Sequence, residues 1–287
     1  MEFGTGKQTP FSNNAASTYS TTQQYLIGVW DWNFSGNPSG STPVAGAWNT
    51  ISNTHYASLP VTGTSSPSSA LSGFSNLEAQ TISSTTYNAA FATSVAGCTG
   101  SGCATNDYYR TISSNTVCWA GGTTSCSSGQ YGWYLSLTSG CPDTYDPSGL
   151  LPSSSCASTA QIYEQVIFNP TLQDGTFIVN TTIPPTTSLA QCSSTAAGGW
   201  TMAVNPTTGG AFTNSFFGAS NHTFLNVGSP PMPISGIALS GTGSPTVVVQ
   251  GTNSYLVTQT TSGSGAIVQM NPPGGTTGSR ITWIEKR

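Results

Sequence analysis

A chain of 287 residues with five Lys/Arg and nine Asp/Glu is 5% charged and carries a net charge of −4, against about 25% charged residues in an ordinary soluble domain. Ser and Thr fill 87 positions, so the surface must be built from hydroxyls, amides and backbone groups. This excludes a nucleic-acid partner, which needs several phosphate-neutralising cations in one place, and weakens any chemistry that relies on charge.

Seven Trp, eleven Tyr and eleven Phe are enough to build a core, and the small net charge argues against disorder along the whole chain. The expected character is a secreted, all-β, loop-rich protein. Apolar runs stay short of the ~18 residues that a membrane-spanning helix needs, so membrane insertion is not expected. Met1 to Pro10 lacks the basic and apolar stretches of a signal peptide.

Helical patterns fail because Gly, Pro, Ser and Thr interrupt each window. Strand patterns recur. In chain order, Gln24–Asp31 predicts a strand ending in an acidic turn, and Gly132–Leu137 predicts another. Gln165–Pro170 leads into Gln173–Thr181, where Asp174-Gly175 signals a hairpin because both residues tolerate left-handed dihedrals. Gly199–Asn205 precedes a turn at Pro206–Gly210. Ser235–Ser240 and Thr246–Gln250 read as paired inner strands of one more sheet, followed by Ser254–Thr260, Gly265–Met270 and Arg280–Glu285. Long polar loops are expected at 33–75, 83–107, 119–130, 138–160, 184–198, 213–233 and 271–279. The repetition of strand, Gly-rich turn and strand fits the radial sheets of a β-propeller. Pattern alone fits a β-sandwich or jelly roll almost equally well.

Seven cysteines, Cys98, Cys103, Cys118, Cys126, Cys141, Cys156 and Cys192, occupy the middle of the chain. In a secreted chain they read as local disulfides that staple loops, with one thiol left over. A metal site is disfavoured: there is no CxxC pair, and His55 and His222 lie away from the cluster.

A glycosidase needs two carboxylates suitably spaced across the scissile bond. Asp31 and Asp174 have structural explanations as strand-end and turn residues. Glu78 and Glu164 are the acids hardest to dismiss, though a structural role outweighs catalysis for both. No Gly-x-Ser-x-Gly elbow lies near either His. Trp30, Trp133, Trp200 and Trp283 fall on strands and are expected in the core. Trp32, Trp48, Tyr56, Tyr108 and Tyr109 fall in or beside long loops, where they are candidates for stacking on sugars or lying on an apolar surface.

Eight segments, in this order, resemble the C-terminal propeller domain of the PilY-type tip-associated adhesins of bacterial type IV pili. They are Glu2–Lys7, Tyr25–Asp31, Leu77–Ile82, Tyr109–Asn115, Gly132–Leu137, Asn169–Gly175, Gly199–Met202 and Ser279–Trp283. The strongest are Phe3-Gly4-Thr5-Gly6-Lys7, Gly132-Trp133-Tyr134-Leu135 and Arg280-Ile281-Thr282-Trp283. The chain 1–287 looks like the second half of that domain. The resemblance implies an all-β fold, part of a modified β-propeller of three to four blades with long loops at 33–75, 83–130 and 138–160.

The resemblance further implies a non-enzymatic role in pilus assembly and adhesion at the outer cell surface of a bacterium. The implied partners are the pilus tip with its minor pilins, and an abiotic, mineral or glycan surface. The family's calcium loop needs alternating acidic residues, and Asp143-Thr144-Tyr145-Asp146 is the nearest approach. No calcium or other cofactor is therefore expected, and the integrin-type Arg-Gly-Asp tripeptide is absent too. The alternative is a secreted carbohydrate-active β-protein, either a glycoside hydrolase or a glycan-binding module. With so few cations left to repel one another in acid, the chain is also expected to tolerate an acidic milieu.

Overall fold

The structure is a computed structural model that describes residues 1–8, 19–29, 77–87, 108–118, 130, 132–140, 161–185, 198–217, 224, 226, 230–261 and 263–273. Every regular element among them is a β-strand. They are β1 (Glu2–Gly4), β2 (Tyr25–Val29), β3 (Glu78–Gln80), β4 (Ile82–Tyr87), β5 (Tyr108–Ile112), β6 (Gly132–Ser136), β7 (Ser139–Gly140), β8 (Ile162–Tyr163), β9 (Thr171–Gln173), β10 (Thr176–Asn180), β11 (Thr201–Val204), β12 (Ile234–Ile237), β13 (Gly241–Gln250), β14 (Asn253–Thr260) and β15 (Gly265–Met270).

The strands form a four-stranded sheet β1-β2-β6-β3, a six-stranded sheet β4-β5-β12-β11-β10-β9, a three-stranded sheet β13-β14-β15 and the short pair β7-β8. Pairing is antiparallel except for β3 on β6. The first three sheets stack as layers, and strand periodicity shows how. Successive side chains of a strand point to opposite faces. On β10, Phe177 and Val179 enter one hydrophobic cluster while Ile178 enters the other. On β11, Met202 and Val204 take the first side and Ala203 the second.

The first cluster joins these residues to Leu26, Trp133 and Leu135 of the four-stranded sheet. The second joins them to Leu256, Ala266, Val268 and Met270 of the three-stranded sheet. The six-stranded sheet is therefore the middle layer, and β10 and β11 are buried along their whole length. A short, almost continuous apolar run such as Phe177-Ile178-Val179 suits a strand covered on both faces. Ile234 and Ile237 both face the second core although they are three positions apart. A register shift between Ile234 and Gly236 makes this possible.

Asp174 and Gly175 form the expected hairpin turn: their φ values are 49° and 70°, the left-handed pair of a type I′ turn, and Gln173 pairs with Thr176. Trp133 and Trp200 are each 1% exposed, as expected of strand tryptophans. Trp30 and Trp283, the segment 280–285 and the loop 33–75 lie outside the described residues.

Three expectations need correction. The region 83–130 is not all loop, because β4 and β5 pair antiparallel within it; backbone pairing organises a Ser/Thr-rich stretch that lacks apolar alternation. Likewise β7, inside the expected loop 138–160, pairs with β8. The segments around 235–240 and 246–250 are not partners of each other. β12 lies between β5 and β11, and β13 pairs with β14. Ser240, with φ 48°, turns the chain from the middle layer into the third, and its N–H donates to Gly199 O at 3.0 Å.

Candidate functional site

Two places gather functional chemistry, one sealed and one open. The sealed one lies in the first core. Arg110 projects from β5 on the same side as Ile112, and its guanidinium carbon sits 3.9 Å from the centroid of the Trp200 ring. Its Nη1 donates to both oxygens of Glu164, at 2.7 and 2.9 Å, and its Nη2 donates to Thr138 Oγ1 at 2.9 Å. Glu164 also accepts from the hydroxyls of Thr138 and Thr181 and from the Thr138 N–H. Arg110 is 3% exposed and Glu164 is 0% exposed.

Burial pushes the Glu164 carboxyl toward neutrality and is the largest single influence on it. The Arg110 charge and the hydrogen bonds from Arg110, Thr138 and Thr181 together outweigh burial and hold it below the usual carboxylate range. This carboxylate is enclosed and fully engaged by its partners. Glu78, the other acid singled out from sequence, sits on β3 and accepts from Gln130 Nε2 at 2.6 Å.

The open place is a cleft of about 300 Å³ lined by Glu2, Val29, Trp133, Leu172, Asp174, Pro206 and their neighbours. Five chain segments build it: β1, the end of β2, the β6 tryptophan, the β9–β10 turn and the turn that follows β11. Trp133 Nε1 donates to Pro206 O at 2.7 Å, which fixes floor to wall. Asn205 braces that wall: its Oδ1 accepts from Thr207 N at 2.9 Å and its O from Gly209 N at 2.7 Å. Gly209 (φ 71°) is required there, since a Cβ would lie 2.1 Å from the Trp133 ring.

Leu172 is 59% exposed on the opposite wall. The cleft thus pairs an apolar floor and walls with two carboxylates, Glu2 and Asp174. Glu2 also lies 3.8 Å from the Met1 ammonium group. Neither Glu78 nor Glu164 lines it, and among the described residues it has no histidine or cationic side chain.

Of the aromatics expected to form a binding surface, Tyr109 is corrected: it is 7% exposed and packs in the second core. Its parity on β5 points it away from Arg110 and into the interior. Tyr108 lies on the same strand. Trp32, Trp48 and Tyr56 lie outside the described residues. Cys118 is disulfide-bonded; Cys98, Cys103, Cys126, Cys141, Cys156 and Cys192 lie outside the described residues. No group of three or more His, Cys, Asp or Glu able to hold a metal occurs among the described residues.

The cleft and the ion pair were not legible as sites from sequence. For the pair, one signal existed: Arg110 is an isolated cation in a strand-like stretch, and a cation buried on a strand requires a carboxylate. For the cleft, the only hint was Leu172, an apolar side chain beside a polar turn.

The architecture is thus that of an all-β protein of stacked sheets. Among solved structures, it is similar to the crystal structure of the Pseudomonas aeruginosa PilY1 C-terminal domain. The two share a TM-score of 0.54 at 20% sequence identity, over 94% of this chain and 41% of that one. The chain therefore spans less than half the length of that neighbour. No protein-family model matches the sequence, and no curated protein matches it.

Proposed function

We propose that the chain is part of a modified β-propeller in a type IV pilus tip-associated adhesin, with an assembly and adhesion role and no catalytic one. The observation that carries this reading is the fold likeness to the PilY1 C-terminal domain. The eight sequence segments that resemble that domain in the same order agree with it. The three stacked sheets and the β7–β8 pair are read as consecutive blades, although they close no ring among the described residues.

On this reading the protein works outside a bacterial cell, at the pilus tip with minor pilins, and meets a mineral, abiotic or glycan surface. The contact surface is carried by the long segments 33–75 and 83–130, with Trp32, Trp48, Tyr56 and Tyr108 as stacking groups and the sheets as rigid support. Affinity then comes from many weak hydroxyl, amide and aromatic contacts. The reading assigns no cofactor, and the habitat it favours is acidic, where carboxylates are poor partners.

The glycosidase alternative loses one of its two acids, because Glu164 is sealed in an ion pair. The test compares the chain with a variant lacking 33–75 on silica, mineral and glycan-coated beads, alongside glycan turnover. The expected result is adhesion that the deletion removes, with no turnover. Turnover that Glu78→Gln abolishes would falsify the adhesin reading.

A further inference from the structure

The exposed edges of these sheets are not equally protected. Strand β1 is three residues long and carries Glu2, and the equally short β9 runs directly into Asp174. Short length and charge are the usual guards of an edge. Strand β13 is ten residues long. Its first half is tied to the middle layer, where Asn180 Nδ2 donates to Gly243 O at 3.0 Å and Thr171 Oγ1 to Pro245 O at 2.8 Å. Its second half, 246–250, carries Val248 and Val249 at 46% and 48% exposure. Consecutive residues face opposite sides, so both faces of this end are open.

One backbone edge of that half is occupied by β14. Gln250 lies opposite Asn253 across a two-residue turn that begins at Gly251. Residues flanking such a turn exchange their hydrogen bonds with each other, and pairs alternate from there. Thr246, Val248 and Gln250 therefore direct N–H and C=O toward β14. Val247 and Val249 direct theirs to the other side, where no described strand lies. Thr246-Val247-Val248-Val249-Gln250 contains no charge and no proline.

We propose that this edge is a self-association site, at which a second copy of the chain pairs its own β13 antiparallel about a two-fold axis at Val248. The segment reads nearly the same in both directions. Pairing centred on Val248 sets Val247 opposite Val249 of the partner subunit, and Thr246 opposite Gln250 of the partner subunit. The unpaired N–H and C=O groups then meet in about four backbone hydrogen bonds.

No like charges oppose one another, and valines meet on both faces. Pro245 has no N–H and ends the ladder on one side, while the Gly251 turn ends it on the other. The contact is thus isologous and closes as a dimer instead of growing as a fibre. The two three-stranded sheets become one of six strands. This inference does not depend on the adhesin reading.

Sedimentation velocity over a concentration series tests it. The expected result is a monomer–dimer equilibrium that Val248→Lys and Val248→Glu each weaken at least about tenfold, because like charges then face one another. An equimolar mixture of the two variants recovers the dimer. Val249→Pro removes an outward N–H without touching the β14 ladder, and is expected to abolish the dimer while the far-ultraviolet dichroism stays unchanged. A wild-type chain that remains monomeric overturns the proposal. So does a dimer indifferent to Val248→Lys and Val249→Pro, or a mixture that fails to re-pair. Capture of an extended strand from another protein by the monomeric chain would assign the edge to a different occupant.

Discussion

Between the four-stranded and six-stranded sheets the polar centre is ionic, whereas between the six-stranded and three-stranded sheets it is neutral. The first is Arg110–Glu164 with Thr138 and Thr181. The second is Asn180, whose Nδ2 donates to Gly243 O and Thr258 Oγ1 and whose Oδ1 accepts from Thr201 at 2.7 Å. Both are anchored on side chains of the middle sheet, the first reaching the residues that flank β7 and β8 and the second reaching β13 and β14. They differ in what a change of conditions does to them. A neutral amide answers only to geometry, while a buried pair also answers to protons. The chain keeps an ion pair in its interior although only 5% of its residues are charged, so this interlayer has a pH response that the other lacks.

The largest expected effect breaks the ionic side alone. Arg110→Met strands the Glu164 charge in the core and should cost about 3–5 kcal/mol in urea denaturation. Adding Glu164→Leu to it should return most of that loss, since an apolar pair of similar volume often matches a buried salt bridge. No recovery would mean that Trp200 stacking and the threonine bonds, not the charge, hold that interlayer.

Gly209→Ala should come next. It drives a methyl group into Trp133 at a left-handed position, and strain with overpacking should cost about 2–4 kcal/mol. The same change at Gly175 (φ 70°) meets nothing within 4 Å, and should cost only about 1 kcal/mol of backbone strain. Equal losses at the two sites would show that the Trp133 wall yields.

On the neutral side, Asn180→Ala leaves the Thr201 hydroxyl and Gly243 carbonyl without their partner. The expected loss is about 1–3 kcal/mol, the same at every pH from mildly acidic to neutral.

The mildest perturbation is acid itself. The folded-state pKa of Glu164 lies below its ordinary value. Its stabilising contribution is therefore complete above the unfolded carboxylate value of about 4.3 and is lost as pH falls from there through the folded value. For one group the slope cannot exceed about 1.4 kcal/mol per pH unit. Melting temperatures should be level above that value and decline below it, and Glu164→Gln should flatten the decline. A decline that Glu164→Gln leaves intact would place the acid-sensitive group elsewhere.

Parts of this architecture could be read from the sequence because the determining information is local. Trp133 and Trp200 sit in alternating strand patterns and go to the core, and Asp174-Gly175 carries its turn chemistry in two adjacent residues. Other parts depend on partners remote in the chain. Arg110 and Glu164 are 54 residues apart, and no spacing rule links them. The hydroxyl-rich β4 owes its existence to β5, not to its own periodicity. The separation of β12 from β13 turns on the left-handed dihedral of Ser240, a residue type with no strong preference for that conformation. The cleft is assembled from five strands and turns, none of which carries a signal for it.

Gln165 joins parts of the molecule that lie far apart in the chain. Its Oε1 accepts from the backbone N–H of Lys7 at 2.9 Å and of Ser20 at 3.1 Å, across 158 and 145 residues, and Val166 N donates to Thr5 O nearby. One side-chain oxygen thus holds two separate stretches, around residue 7 and around residue 20, against the 165–166 segment. Contacts that close loops of this length form slowly, because the loop entropy is lost before the contact is gained. The fastening of these two stretches is therefore a step that waits on the segment 165–166.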